Sequence, residues 1–127
     1  MPDLKGKNAI ITGASKGIGN AIATRLAENG INLVLAARTK DTLDKAVEDL
    51  KIKFKVKVIG VPTDVAKLED LKNLVDVALK EFGHIDILVN NAGVSSQYPF
   101  EKQPIEDLEK LAHTNYLGYV RLIRLLI

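Results

Sequence analysis

The stretch TGASKGIG, residues 12–19, spaces Gly13, Gly17 and Gly19 as G-x-x-x-G-x-G between a short apolar run and an amphipathic one. Glycines in that position let the chain turn tightly and bring backbone N–H groups close to an anion. A helix starting there aims its free N–H groups and the positive end of its dipole at the same point. The chemistry is the cradling of a pyrophosphate, with Ser15, Lys16 and Ile18 completing the loop. A glycine triplet alone also makes ordinary turns; its place after a first strand and before a helix makes it a phosphate loop.

A second position qualifies that chemistry. About twenty residues past such a loop, at the end of the second strand, an acidic side chain holds a ribose 2′-hydroxyl. This chain reads AARTK there, with Arg38 in the deciding place and Thr39 next to it. A guanidinium offers a fork of donors that matches phosphate oxygens. Lys16 adds a second positive charge and Thr39 a hydroxyl, so the pattern predicts NADP(H) rather than NAD(H). The alternative reading of Arg38 is a solvated surface charge.

Other residues able to do chemistry are weaker candidates. Tyr98 and Lys102 have the spacing Tyr-x-x-x-Lys in YPFEK, but Pro99 between them disrupts a regular helical turn. Ser95 and Ser96 fall in the same loop, where polar residues are ordinary. His84 and His113 belong to no cluster with metal-ligand spacing. The chain has no cysteine, which excludes disulfides, thiolate metal sites and a cysteine nucleophile. Asn115 stands out, because it falls inside the apolar stripe of Leu108, Leu111, Ala112, Tyr119, Leu122 and Leu126. A buried amide left unpaired costs about 1–3 kcal/mol, so this one is expected to be tied to backbone or water.

The elements that must hold these residues alternate. Short runs rich in Ile and Val, at 8–12, 31–37, 57–61 and 85–90, read as strands covered on both faces. Between them lie helical patterns. Ile18, Ile22 and Leu26 form the first stripe; Leu43, Ala46, Val47 and Leu50 the second; Leu68, Leu71, Val75, Ala78, Leu79 and Phe82 the third. Gly30 and Gly83 sit where helices end, and a last helix is expected from about Pro104. This β-α alternation predicts an α/β fold: a doubly wound parallel sheet with helices on both faces and strand order 3-2-1-4. Residues 1–127 read as one domain.

Composition narrows the partners. Hydrophobic residues make up 46% of the chain, enough for one aliphatic core, and the formal net charge is only +2. The basic residues are spread along the sequence, which argues against nucleic-acid or anionic-membrane binding. No run approaches the roughly 18 apolar residues of a membrane span. The start MPDLKGKNAIITG lacks a signal-peptide core, so a cytoplasmic setting is expected.

The glycine spacing is not the general G-x-G-x-x-G fingerprint. TGASKGIG resembles the cofactor loop of the short-chain dehydrogenases and reductases, and NNAG (90–93) after the fourth strand resembles that family's second hallmark. Asp64 and Val65 after the third strand, FGHID at 82–86, and Asn115 with Gly118 in the last helix match in order and approximate spacing. Among family members the chain is most similar to reductases of the 3-oxoacyl carrier-protein type.

The resemblance implies a Rossmann-like domain and an oxidoreductase moving hydride between NADP(H) and a small carbonyl or alcohol. It implies that Asp64 and Val65 border the adenine, with a cap of the third helix as the alternative role for Asp64. Asn90, Asn91, Ala92 and Gly93 are expected to tie the central strands together and lie beside the cofactor. Asn115 becomes the asparagine of the family's proton relay, with a purely structural amide as the alternative. The family's serine, tyrosine and lysine follow that helix and have no counterpart in these residues. The chain is therefore expected to be a truncated cofactor-binding half, inactive alone and homo-oligomeric through its last helix. A non-catalytic dinucleotide-binding fragment and one half of a split assembly are the competing readings; a methyltransferase on a similar fold is disfavoured by Arg38.

Overall fold

A computed structural model of the chain describes residues 3–94 and 98–127. Four parallel strands, β1 (Asn8–Thr12), β2 (Asn32–Ala37), β3 (Val58–Pro62) and β4 (Ile87–Val89), form one sheet in the order β3-β2-β1-β4. The chain winds outward through β2 and β3, then returns to the far side of β1. The expected order 3-2-1-4 is thus observed, and it creates a switch point between the carboxyl ends of β1 and β4, where sheets of this kind bind ligands.

Both faces are covered. Ala9, Ile11, Leu33 and Leu35 pack against α1 (Gly17–Glu28) and α2 (Lys40–Lys53), while Ile10, Val34, Ala36 and Val61 pack against α3 (Leu68–Phe82) and the last helix. Alternate strand residues feed opposite layers, which is why these strands show no polar alternation. Leu43, Ala46, Val47 and Leu50 of α2 are all buried, as their spacing predicted.

Two helical faces differ from expectation. On α1 the buried residues are Gly19, Ala23 and Ala27, whereas Ile18 is 74% exposed. Small side chains let this helix lie close to the sheet, so its contact face is marked by Gly and Ala rather than by large apolar residues. On α3, Leu71, Leu74, Val75 and Ala78 are buried, while Leu68 and Leu79 are exposed at the ends of the stripe. β4 spans only 87–89 of the expected 85–90; it is an edge strand, paired on one side with β1.

The last helix has three parts: α4 (Ile105–Ala112), a π-helical turn over His113–Leu117, and α5 (Gly118–Leu126). It starts just after Pro104, as expected. Leu122, Leu125 and Leu126 turn inward to the second core, while Val120, Ile123 and Ile127 are exposed. No helix among the described residues is long and apolar enough to cross a membrane.

Candidate functional site

The carboxyl ends of β1, β2, β3 and β4 surround a cleft of about 310 Å³. Ten of the sequence-predicted residues line it: Gly13, Ser15, Lys16, Arg38, Thr39, Asp64, Val65, Asn91, Ala92 and Gly93. Gly17, Ile18, Gly19 and Asn115 do not. Gly17 and Ile18 are exposed on the first turn of α1, and Gly19 is buried beneath the loop. Ser95 and Ser96 lie outside the described residues.

The glycine loop is held by close approach. A Cβ on Gly13 would stand 2.9 Å from the Ala92 Cα, and one on Gly19 would overlap the Gly13 carbonyl oxygen. Gly17 meets no such crowding, but its φ of +60° is costly for any other residue. Asn20 Nδ2 donates to the Ala14 carbonyl at 3.3 Å, and the Ala14 N–H donates to the Ala36 carbonyl at 3.2 Å, bracing the loop against β2.

The loop's electrostatics suit an anion. Lys16 precedes α1 and provides no side-chain cap, so the first-turn N–H groups face outward unpaired by it. The other helices that rise from loops carry acids in their first turns, Asp41 in α2, Glu69 and Asp70 in α3, Glu106 and Asp107 in α4, but α1 has none. The positive end of its dipole is left for something external. Arg38 and Lys16 are exposed and make no ion pair among the described residues. Their neighbour Lys40 is engaged: its Nζ is 2.6 Å from Asp44, and that hydrogen bond and charge raise its pKa above the ordinary 10.5. Thr39 sits at the start of α2 without using its hydroxyl as a cap.

Asp64 does not cap α3, whose cap position is Lys67. One of its oxygens accepts from the Ala66 N–H at 3.0 Å, and its own N–H donates to Asp70 at 2.8 Å, which fixes the turn after β3.

The segment after β4 is tied to β1 by a residue that pattern reading treats only as a strand end. Thr12 Oγ1 accepts from the N–H groups of Asn91 and Ala92, each at 3.0 Å, and Asn91 Nδ2 donates to the Gly13 carbonyl at 3.2 Å. The tie between strands therefore belongs to Thr12 and Asn91. Asn90 faces a second hollow beside β4, and its Oδ1 is buried without a partner among the described residues.

Asn115 corrects an expectation. It lies in the π-helical turn and is exposed rather than buried among aliphatics. It is nonetheless fully engaged: Oδ1 accepts from the Val94 N–H at 2.9 Å and Nδ2 donates to the Val94 carbonyl at 2.7 Å. Tyr119 adds a bond from its hydroxyl to the Ala92 carbonyl at 2.7 Å. The widened turn displaces the amide from the inward stripe and presents it to the neighbouring segment, as π-turns at functional sites often do.

Tyr98 and Lys102 are exposed, the first just before and the second at the end of a 3-10 turn at Phe100–Lys102, and neither lines the cleft. His84 pairs with Asp86 at 3.3 Å, and the described residues contain no His/Asp/Glu group able to hold a metal.

Comparison with known proteins agrees with this architecture. A family model described as short chain dehydrogenase matches residues 7–127. A Caenorhabditis elegans protein, dehydrogenase/reductase SDR family member 4, is 46% identical over 94 residues, covering 74% of this chain and 36% of its own. A 3-oxoacyl-[acyl-carrier-protein] reductase of Staphylococcus epidermidis is 34% identical over 93% of this chain and 48% of its own. Among solved structures, L-sorbose reductase from Gluconobacter frateurii, complexed with NADPH and L-sorbose, superposes with a TM-score of 0.94 at 41% identity. It covers 98% of this chain, which spans 48% of that one. A Burkholderia phymatum short-chain dehydrogenase/reductase in complex with NAD superposes with a TM-score of 0.93 at 35% identity, over 98% of this chain and 44% of its own. The chain thus spans about half or less of the length of the relatives it matches. With the switch-point cleft, the glycine loop and a family match from residue 7 to residue 127, this chain belongs to the short-chain dehydrogenase/reductase family of nicotinamide-dinucleotide oxidoreductases.

Proposed function

We propose that the chain is the cofactor-holding part of an NADP(H)-dependent oxidoreductase acting on a small carbonyl or alcohol. The observation that carries the choice of cofactor is Arg38, exposed on the cleft wall with Lys16 in the same cleft, neither of them ion-paired among the described residues. Two free cations beside a ribose site favour a 2′-phosphate and leave a 2′-hydroxyl without its usual carboxylate.

In this reading the N-terminus of α1 and the loop of Gly13, Ser15, Gly17, Ile18 and Gly19 hold the pyrophosphate. Arg38, Lys16 and Thr39 hold the 2′-phosphate. Asp64 and Val65 border the adenine, with the carboxylate accepting from its amine, and Asn91, Ala92 and Gly93 form the wall towards the nicotinamide. When bound, the nicotinamide ring supplies or accepts the hydride that interconverts carbonyl and alcohol. Asn115 holds the backbone of Val94 at the end of that wall and is the residue through which this chain would join a proton relay.

As a polypeptide of 127 residues, the chain is proposed to bind the dinucleotide without turnover, because its one Tyr-x-x-x-Lys spacing, Tyr98 and Lys102, stands away from the cleft. The outward residues of the last helix, Tyr116 at 65% exposure with Val120 and Ile123, support self-association through that helix.

The test is equilibrium binding of NADPH and NADH to wild type and to Arg38→Asp. The substitution is expected to reverse the preference, by about tenfold or more in the ratio of dissociation constants. An unchanged ratio would remove Arg38 from the assignment.

A further inference from the structure

The two edges of the sheet differ in chemistry. β3 ends on Pro62, is interrupted by Gly60 and begins beside Lys57. The Thr63 N–H donates inward to the Ala37 carbonyl at 2.8 Å, so the alternation of the ladder sets Pro62 on the outer side, where it offers no N–H. A proline, a glycine and a lysine are devices that keep a strand edge from pairing further. β4 carries none of them, consisting of Ile87, Leu88 and Val89. The Asp86 N–H donates inward to the Asn8 carbonyl at 2.9 Å, which turns the backbone groups of Ile87 and Val89 to the outer side. Among the described residues those outward groups meet no further strand.

The hollow of about 300 Å³ beside this edge has β4 as one wall and Ile123, Leu126 and Ile127 of the last helix as another. The orphaned Oδ1 of Asn90 lies in it. The edge is also complementary to itself. In an antiparallel pair with a two-fold axis through Leu88, Ile87 of one copy stands opposite Val89 of the other as a hydrogen-bonded pair, and the symmetry repeats it. The same register sets Asp86 opposite Asn90, so each carboxylate meets an amide and no like charges oppose one another. Ile123 and Ile127, both exposed, flank the strand and are carried towards their own copies, which joins helix and strand edge in one apolar contact. A head-to-tail pairing of β4 with β3 of the next copy would instead run on into a filament, and Pro62 and Gly60 oppose it.

We infer that the outer edge of β4 pairs antiparallel with the same edge of a second copy of this chain, joining two four-stranded sheets into one. The inference rests on the self-association proposed above and places its centre at the strand edge.

The chain has no cysteine, so a single Leu88→Cys change reports the contact. On the axis of such a pair the two Cα atoms stand about 4.5 Å apart, within the range a disulfide spans. On mild oxidation Leu88→Cys should form a linked dimer about tenfold faster or more than Ile52→Cys, an exposed position on α2. Val89→Pro removes an outward N–H from each copy and should weaken the dimer about tenfold in sedimentation equilibrium, with an unchanged far-ultraviolet circular dichroism spectrum. Equal cross-linking at the two positions, or filaments in place of a dimer, would overturn the inference. Dimers that persist in a folded Val89→Pro but dissolve in the double change Val120→Lys with Ile123→Lys would overturn it too, and leave the last helix alone as the association surface. A monomeric wild type would overturn both readings and leave the edge to a strand of another polypeptide.

Discussion

Asn115 and Val94 form a two-way clamp: the side-chain amide accepts from the Val94 N–H at 2.9 Å and donates to the Val94 carbonyl at 2.7 Å. An asparagine on a helix thereby pairs with one residue of an extended segment as a neighbouring strand would. The π-helical turn makes this reach possible, and Gly93 leaves room for it, since a Cβ there would sit 3.2 Å from Asn115 Oδ1. The wall of the cleft is fixed from one side by this clamp and from the other by Thr12.

Asn115→Ala is expected to lower stability by about 1–2 kcal/mol, the loss of two hydrogen bonds at a solvent-accessible site. Asn115→Asp keeps the acceptor but sets a carboxylate against the Val94 carbonyl, so it should be at least as destabilising at neutral pH. Urea denaturation of the three proteins checks both; equal midpoints for wild type and Asn115→Ala would show that the clamp contributes nothing.

Thr12→Val should cost about 2–4 kcal/mol, because it strands the N–H groups of Asn91 and Ala92 without an acceptor in a part-buried place. Thr12→Ser retains the oxygen and should stay within about 1 kcal/mol of wild type. Chemical denaturation separates the two variants; a loss in Thr12→Ser as large as that in Thr12→Val would show that the hydroxyl oxygen is not what holds this tie.

The glycines of the loop should respond differently. Gly19→Ala forces a methyl into the Gly13 carbonyl and should cost about 3 kcal/mol or more, with loss of NADPH binding. Gly17→Ala has space but a positive φ, and should cost only about 1–2 kcal/mol. Thermal melts and NADPH titration of the pair test this order; a milder effect at Gly19 would contradict the close packing described for the loop.

Val120 and Ile123 face outward on α5, at 45% and 43% exposure. The chain is expected to self-associate at micromolar concentration, and the double change Val120→Lys with Ile123→Lys should shift it towards monomer in light scattering. A monomeric wild type would remove the last helix as an association surface.

Much of this architecture was legible in the residue pattern, for identifiable reasons. The strand order and the two-faced sheet follow from short Ile/Val runs alternating with amphipathic stretches. The cleft residues from Gly13 to Gly93 follow from the ends of those runs. What escaped depended on distance in sequence or on backbone detail. Thr12 closes a bond to a residue 79 positions away, and nothing local marks it. The π-helical turn shifts Asn115 out of the inward stripe, and no side-chain period announces such a turn. Ile18 reads as part of a contact face because large apolar residues advertise burial more loudly than the Gly19, Ala23 and Ala27 that allow close packing.

The central claim is that this cleft holds a nicotinamide dinucleotide and prefers the 2′-phosphorylated form. Isothermal titration of the wild-type chain with NADPH and NADH measures it most directly. The account predicts saturable binding of one NADPH per chain, at least about tenfold tighter than NADH and weakened by salt. Equal affinities would contradict the role given to Arg38 and Lys16, and an absence of binding to either would contradict the account as a whole.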